Sequence, residues 1–99
     1  MRGVPEPHAL TTQRIVELLK AERQRLGWSQ ETLAVEAGVS NSCVRHLEHS
    51  RASPTMVTLL KLSSALQLDL AELLRSAQAE SQKRKQKRVS AIRAPKHGD

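Results

Sequence analysis

The chain has 99 residues and a formal net charge of +6, with one Cys, one Trp and neither Phe nor Tyr. That length holds one small domain, whose core has to be aliphatic. A lone cysteine excludes an internal disulfide and fits a reducing compartment, and no apolar run nears the ~20 residues of a membrane span.

The opening MRGVPEPHAL has two early prolines and no apolar stretch of the kind a secretory leader needs. A cytoplasmic protein without a membrane partner is therefore expected. Charge is unevenly placed. Residues 1–75 hold nine Lys/Arg against eight Asp/Glu, and residues 76–99 hold seven against two. The body is close to neutral and the tail is basic.

Residues 1–10 read as a loose lead-in, because Pro5 and Pro7 oppose regular structure. Helix 1 is expected to start near Thr11 or Thr12, either of which can cap it. Ile15, Leu18, Leu19 and Leu26 recur at helical spacing, with Glu22 interrupting the stripe. Gly27 ends the helix. Ser29 caps helix 2, Gln30 and Glu31 follow in its first turn, and Leu33, Ala34 and Ala37 face inward.

Gly38 closes helix 2, Val39 plugs the corner and Ser40 caps helix 3, which spans about 41–49. SRASP is turn chemistry. Thr55 caps helix 4, predicted to bury Val57 or Met56 with Leu59, Leu60, Leu62 and Leu66. DLAE, Asp69 to Glu72, resembles a capping box opening helix 5, with Leu70, Leu73 and Leu74 behind it. The apolar pattern stops at Arg75.

The expected division is thus a lead at 1–10, a domain at 11–75 and a basic tail at 76–99 without regular structure. In that tail Lys83, Arg84, Lys85, Lys87 and Arg88 set five positive charges within six residues. Such a run suits an anionic partner such as nucleic acid, and it serves equally as a solvated end.

Helix 3 has an unusual composition. At about 100° per residue, Asn41, Arg45, His49, Ser42 and His46 fall between about 0° and 140°, while Cys43, Leu47 and Val44 lie between about 200° and 300°. The polar arc carries amide, hydroxyl, imidazole and guanidinium groups and no carboxylate. It can lie in a phosphate-lined groove without repulsion and reach base edges. Two short helices crossing at a glycine present the second helix in this way.

The stretch from Leu18 to Leu74 resembles the Cro/C1-type (XRE, lambda repressor-like) helix-turn-helix family. The matching marks include Arg23, Gly27, Ser29-Gln30, Leu33-Ala34, Ala37-Gly38-Val39-Ser40, Val44, Leu47-Glu48, Pro54, Ala65-Leu66 and Leu73. The resemblance implies an all-α fold of five helices and a sequence-specific regulator of transcription, with a repressor favoured.

By position, it implies base reading by Asn41, Ser42 and His46, with Arg45 beside them. It implies phosphate contacts from Gln30, Ser40, Arg51 and Ser53, and a buried ion pair between Arg23 and Glu48. Gln30 is further expected to brace a base-reading side chain. A homodimer on a pseudo-palindromic double-stranded DNA operator is implied too. Two positions depart from the family's habit of glycine, Ser50 and Gln67.

Other readings compete. Cys43, His46 and His49 recur every three residues, but no second ligand cluster accompanies them, so no metal and no cofactor is expected. No Gly-rich loop follows a strand and no carboxylates pair, so no enzyme is expected. The remaining rival is a protein-interaction module, or an antitoxin-type autoregulator binding a partner protein through the same fold.

Overall fold

The structure, a computed structural model, describes residues 7–49 and 53–80. These residues form helices and turns, with no strand among them. The elements are α1 (Pro7–Arg25), α2 (Gln30–Ala37), α3 (Asn41–Glu48), α4 (Met56–Ala65) and α5, helical over 70–80.

α1 begins at Pro7, several residues before the expected cap at Thr11 or Thr12. Proline is tolerated in the first helical turn, where its missing N–H leaves no bond unmade. Thr12 is consequently interior, its Oγ1 donating to the His8 carbonyl at 3.1 Å. The buried stripe is also rotated. It consists of Ile15, Val16, Leu19 and Arg23, while Leu26 lies beyond the helix end and is 39% exposed.

Three helices end in one kind of turn. After α1, Trp28 N–H donates to the Arg23 carbonyl; after α2, Val39 N–H donates to Ala34; after α4, Leu68 N–H donates to Ser63. Each turn needs a residue at positive φ, supplied by Gly27 (74°), Gly38 (74°) and Gln67 (58°). The residue after each, Trp28, Val39 or Leu68, packs against the core. Gln67 therefore keeps the left-handed turn usually given to glycine, at a cost of about 1 kcal/mol. The other departure, Ser50, lies outside the described residues.

The starts are equally regular. Ser29, Ser40 and Thr55 have extended backbone, and each side chain accepts from the N–H three residues on. Each such cap stabilises its helix by about 1 kcal/mol. α5 starts likewise, with Asp69 Oδ1 accepting from Ala71 N–H at 3.0 Å. The answering half of a capping box is taken elsewhere: Glu72 pairs with Arg75 at 3.4 Å.

α2 packs against α3 and α4, and α1 packs against α3. The core is Ile15, Val16, Leu19, Leu33, Ala34, Ala37, Val44, Leu47, Leu59, Leu62, Leu66 and Ala77. α4 departs from its expected burial. Met56, Val57 and Leu60 stay 60%, 59% and 50% exposed. Leu59, Leu62, Ser63 and Leu66 already fill one stripe about 100° wide, and further apolar residues fall outside it.

α5 also continues past Arg75, where the apolar pattern ended. Ala77 is fully buried, and Arg14 Nε meets Glu80 Oε1 at 3.1 Å. One small side chain and one ion pair seat this extra helix on the body, a signal too slight to register as periodicity.

Candidate nucleic-acid interface

α2 and α3 are both eight residues long and are separated by Gly38, Val39 and Ser40. Gly38 takes φ 74°, and a Cβ built there meets no atom within 4 Å. It is the backbone conformation, not crowding, that favours glycine at this corner. Ala34 is 2% exposed and leaves room for α3 to approach α2.

α3 is anchored by Val44 and Leu47, 1% and 4% exposed, with Cys43 half-buried. Asn41, Ser42, Arg45, His46 and His49 are all exposed. The polar arc read from the sequence is thus one solvent-facing surface. Its internal bonds are weak: Arg45 Nη2 lies 3.5 Å from Ser42 Oγ, at the outer limit of a hydrogen bond. Its side chains are available to a ligand at little cost.

Ser40 is exposed at the start of α3, its Oγ accepting from Cys43 N–H at 3.0 Å. The hydroxyl hydrogen remains available to an anion at the positive end of the helix. Ser53 is exposed in the stretch before α4, whereas Arg51 lies outside the described residues. Lys83, Arg84, Lys85, Lys87 and Arg88 lie outside them too.

Behind this surface sits a buried polar cluster. Arg23 Nε donates to Glu48 Oε2 at 2.7 Å, and Arg23 Nη2 donates to Glu48 Oε1 at 2.9 Å. The third donor, Nη1, reaches the Trp28 carbonyl at 2.7 Å. The two side chains are 10% and 5% exposed. The paired fork leaves neither charge bare, which burial requires. Gln30 joins the same cluster, its Nε2 donating to Glu48 Oε1 at 2.9 Å.

That Gln30 joins Arg23 on the Glu48 carboxylate is what sequence reasoning missed. Gln30 is expected from the sequence to brace a base-reading side chain, and the bond its amide makes is to Glu48. A signal did exist: on the wheel Glu48 falls at about 340°, between the polar arc and the buried arc. Cys43, His46 and His49 do not converge. Among the described residues no three of His, Cys, Asp or Glu lie where they could hold a metal ion, and no described helix is long and apolar enough to cross a membrane.

The helix-turn-helix family pattern matches residues 19–73, more than half of the chain. The chain belongs to the Cro/C1-type helix-turn-helix family, whose members are DNA-binding regulators of transcription. The match takes in Arg23, Gln30 and all of α3, and it stops short of the Arg14–Glu80 contact and the basic tail. Among curated proteins, the chain is similar to the HTH-type transcriptional regulator SutR of Escherichia coli (strain K12), 34% identical over 61 residues. That alignment covers 62% of this chain and 34% of SutR, so the chain spans about a third of its relative.

Among solved structures, it is similar to a hypothetical transcription factor, NHTF, from Neisseria. The TM-score is 0.60 at 26% identity, covering 75% of this chain and 82% of that one. This Cro/C1-type domain therefore shares its helix arrangement with a chain of nearly its own extent.

Proposed function

We propose that the protein is a sequence-specific repressor of transcription that reads the major groove of double-stranded DNA with α3. The observation that carries this reading is the exposed, acid-free arc of Asn41, Ser42, Arg45 and His46 on a helix anchored from behind by Val44 and Leu47. Asn41 and Arg45 can each pair bidentately, with adenine and guanine respectively. Gln30, Ser40, Arg51 and Ser53 hold backbone phosphates and fix the register.

One recognition helix spans too few bases to select a site. A homodimer binds a pseudo-palindromic operator, its half-sites about 34 Å apart or a multiple of that. The basic run from Lys83 to Arg88 adds affinity that is independent of sequence.

The test is a titration at matched salt on an operator selected from random DNA, on its single-base variants and on random DNA. Asn41→Ala and Arg45→Ala each relax preference at one or two positions per half-site, by about 1–3 kcal/mol, with less change on random DNA. Ending the chain after Glu80, which spares the Arg14 contact, weakens binding to all three alike. It lowers the slope of log K against log salt by about 0.9 for each phosphate that the tail neutralises.

A protein-partner role is the second reading, favoured by an open groove of about 720 Å³ between α2 and α4, whose lining includes the exposed Val57 and Leu60. That reading takes first place if both α3 variants stay folded and keep the parent's base preference.

A further inference from the structure

The buried cluster behind α3 contains more than an ion pair. Glu48 Oε1 accepts two bonds, from Arg23 Nη2 and from Gln30 Nε2, both at 2.9 Å. Oε2 accepts from Arg23 Nε at 2.7 Å. A carboxylate accepts only, so the Gln30 side chain has one workable orientation, its NH2 group toward Glu48.

The two N–H bonds of a primary amide diverge by about 120°. With one directed at Glu48, the other is aimed away from the carboxylate. Gln30 is the first residue of α2 and is only half-buried, so its outer side is open. Arg23 in turn cancels the Glu48 charge, and an approaching phosphate meets a neutral cluster rather than a bare carboxylate.

We propose that Glu48 is a positioning residue for DNA-backbone binding: it aims the second amide N–H of Gln30 at a phosphate and is itself held by Arg23. This rests on the reading of Gln30 as a phosphate contact. The last residue of α3 thereby couples the reading helix to the clamp at the start of α2. Val44 and Leu47 seat α3 from their own buried positions, so the carboxylate is needed for the aim of Gln30 rather than for the docking of the helix.

Three proteins test this: the parent, Gln30→Ala, and the double variant Arg23→Met with Glu48→Met. The double variant replaces both charges by apolar groups of similar size, which leaves no buried charge unpaired. Circular dichroism and thermal melting establish that it folds. Without DNA, one of the two Gln30 side-chain NH2 protons is shifted downfield and protected from solvent exchange in the parent by its bond to Glu48, and in the double variant both protons return to the shifts and exchange rate of a free amide.

With DNA, single neutral methylphosphonates are scanned along the backbone of the selected operator. One position weakens the parent about tenfold, as loss of a hydrogen bond to a charged group does. Gln30→Ala and the double variant both lose that sensitivity, while the double variant keeps the parent's ranking of single-base variants. A displaced α3 would change that ranking, so this outcome separates aiming from general support. If the double variant keeps the phosphate sensitivity that Gln30→Ala loses, the positioning role of Glu48 is wrong and the phosphate contact of Gln30 stands. If Gln30→Ala matches the parent at every phosphate, both fall. Should the double variant not fold, the parent's NH2 signals decide, and rapid exchange in them overturns the proposal.

Discussion

α3 and α4 are built alike and finished differently. Both begin at a hydroxyl cap, Ser40 or Thr55, and both bury an aliphatic stripe. The outer face of α3 carries Asn41, Ser42, Arg45, His46 and His49, whereas that of α4 exposes Met56, Val57 and Leu60. Folding accounts for neither outer face, since apolar surface stabilises only where it is removed from water. α3 fully buries only Val44 and Leu47 of its own residues and is held besides by the buried pair at its end. The contrast teaches that the two outer faces answer to different demands, and that α3 depends on charge chemistry where α4 depends on packing.

The largest effect expected is at the point where α3 relies on that chemistry. Arg23→Ala leaves Glu48, whose side chain is 5% exposed, with Gln30 as its remaining side-chain donor, and it strips the Trp28 carbonyl of its Nη1 bond. Breaking a buried pair from one side costs about 3–5 kcal/mol, much of the ~5–15 kcal/mol that holds a whole domain. Thermal melting checks it. A midpoint within a degree or two of the parent means that the pair is solvated in solution.

α4 supplies the next test, because its two faces should respond unequally. Leu62, 3% exposed, sits in the core, and Leu62→Ala should cost about 2–5 kcal/mol. Met56 is 60% exposed, and Met56→Ala should stay within about 0.5 kcal/mol. Chemical denaturation of both variants measures the difference. Equal losses would show that the outer face of α4 is covered in solution, and the contrast with α3 would narrow.

Much of this arrangement was legible in the residues. Caps and turns are local chemistry, so Ser29, Ser40, Thr55, Gly27 and Gly38 could be read without knowing the fold. The polar arc of α3 was legible because charge and apolarity segregate cleanly around eight residues. The start of α1 was not, because proline permits a helix as readily as it ends one. Nor was the burial on α4, where three apolar residues compete for one stripe and tertiary contact decides. The tie between Gln30 and Glu48 joins residues 18 positions apart on different helices, a distance over which spacing carries no information. Family resemblance supplied the Arg23–Glu48 pairing but not the third member.

The smallest effect concerns how the two helices end. α2 passes into α3 through Gly38 at φ 74°, while α4 ends through Gln67 at φ 58°. The hydrogen bonds are the same in kind, with the turn N–H reaching back to Val35 at 3.3 Å in one and to Ser64 at 3.0 Å in the other. Only the residue type differs. A side chain at positive φ costs about 1 kcal/mol, part of which glycine returns as extra freedom in the unfolded chain. Gln67→Gly should therefore stabilise the domain by about 0.5–1 kcal/mol, raising the melting midpoint by a few degrees. Gly38→Ala should act in the opposite direction by a similar amount, since a Cβ there meets no atom within 4 Å and the penalty is purely one of backbone. Exposed Gln67 lies on another element from the polar arc of α3 proposed to read bases, so DNA preference should not move with Gln67→Gly. A lowered midpoint for Gln67→Gly would mean that the turn after α4 is not left-handed in solution, and the likeness between the two helix ends would fail.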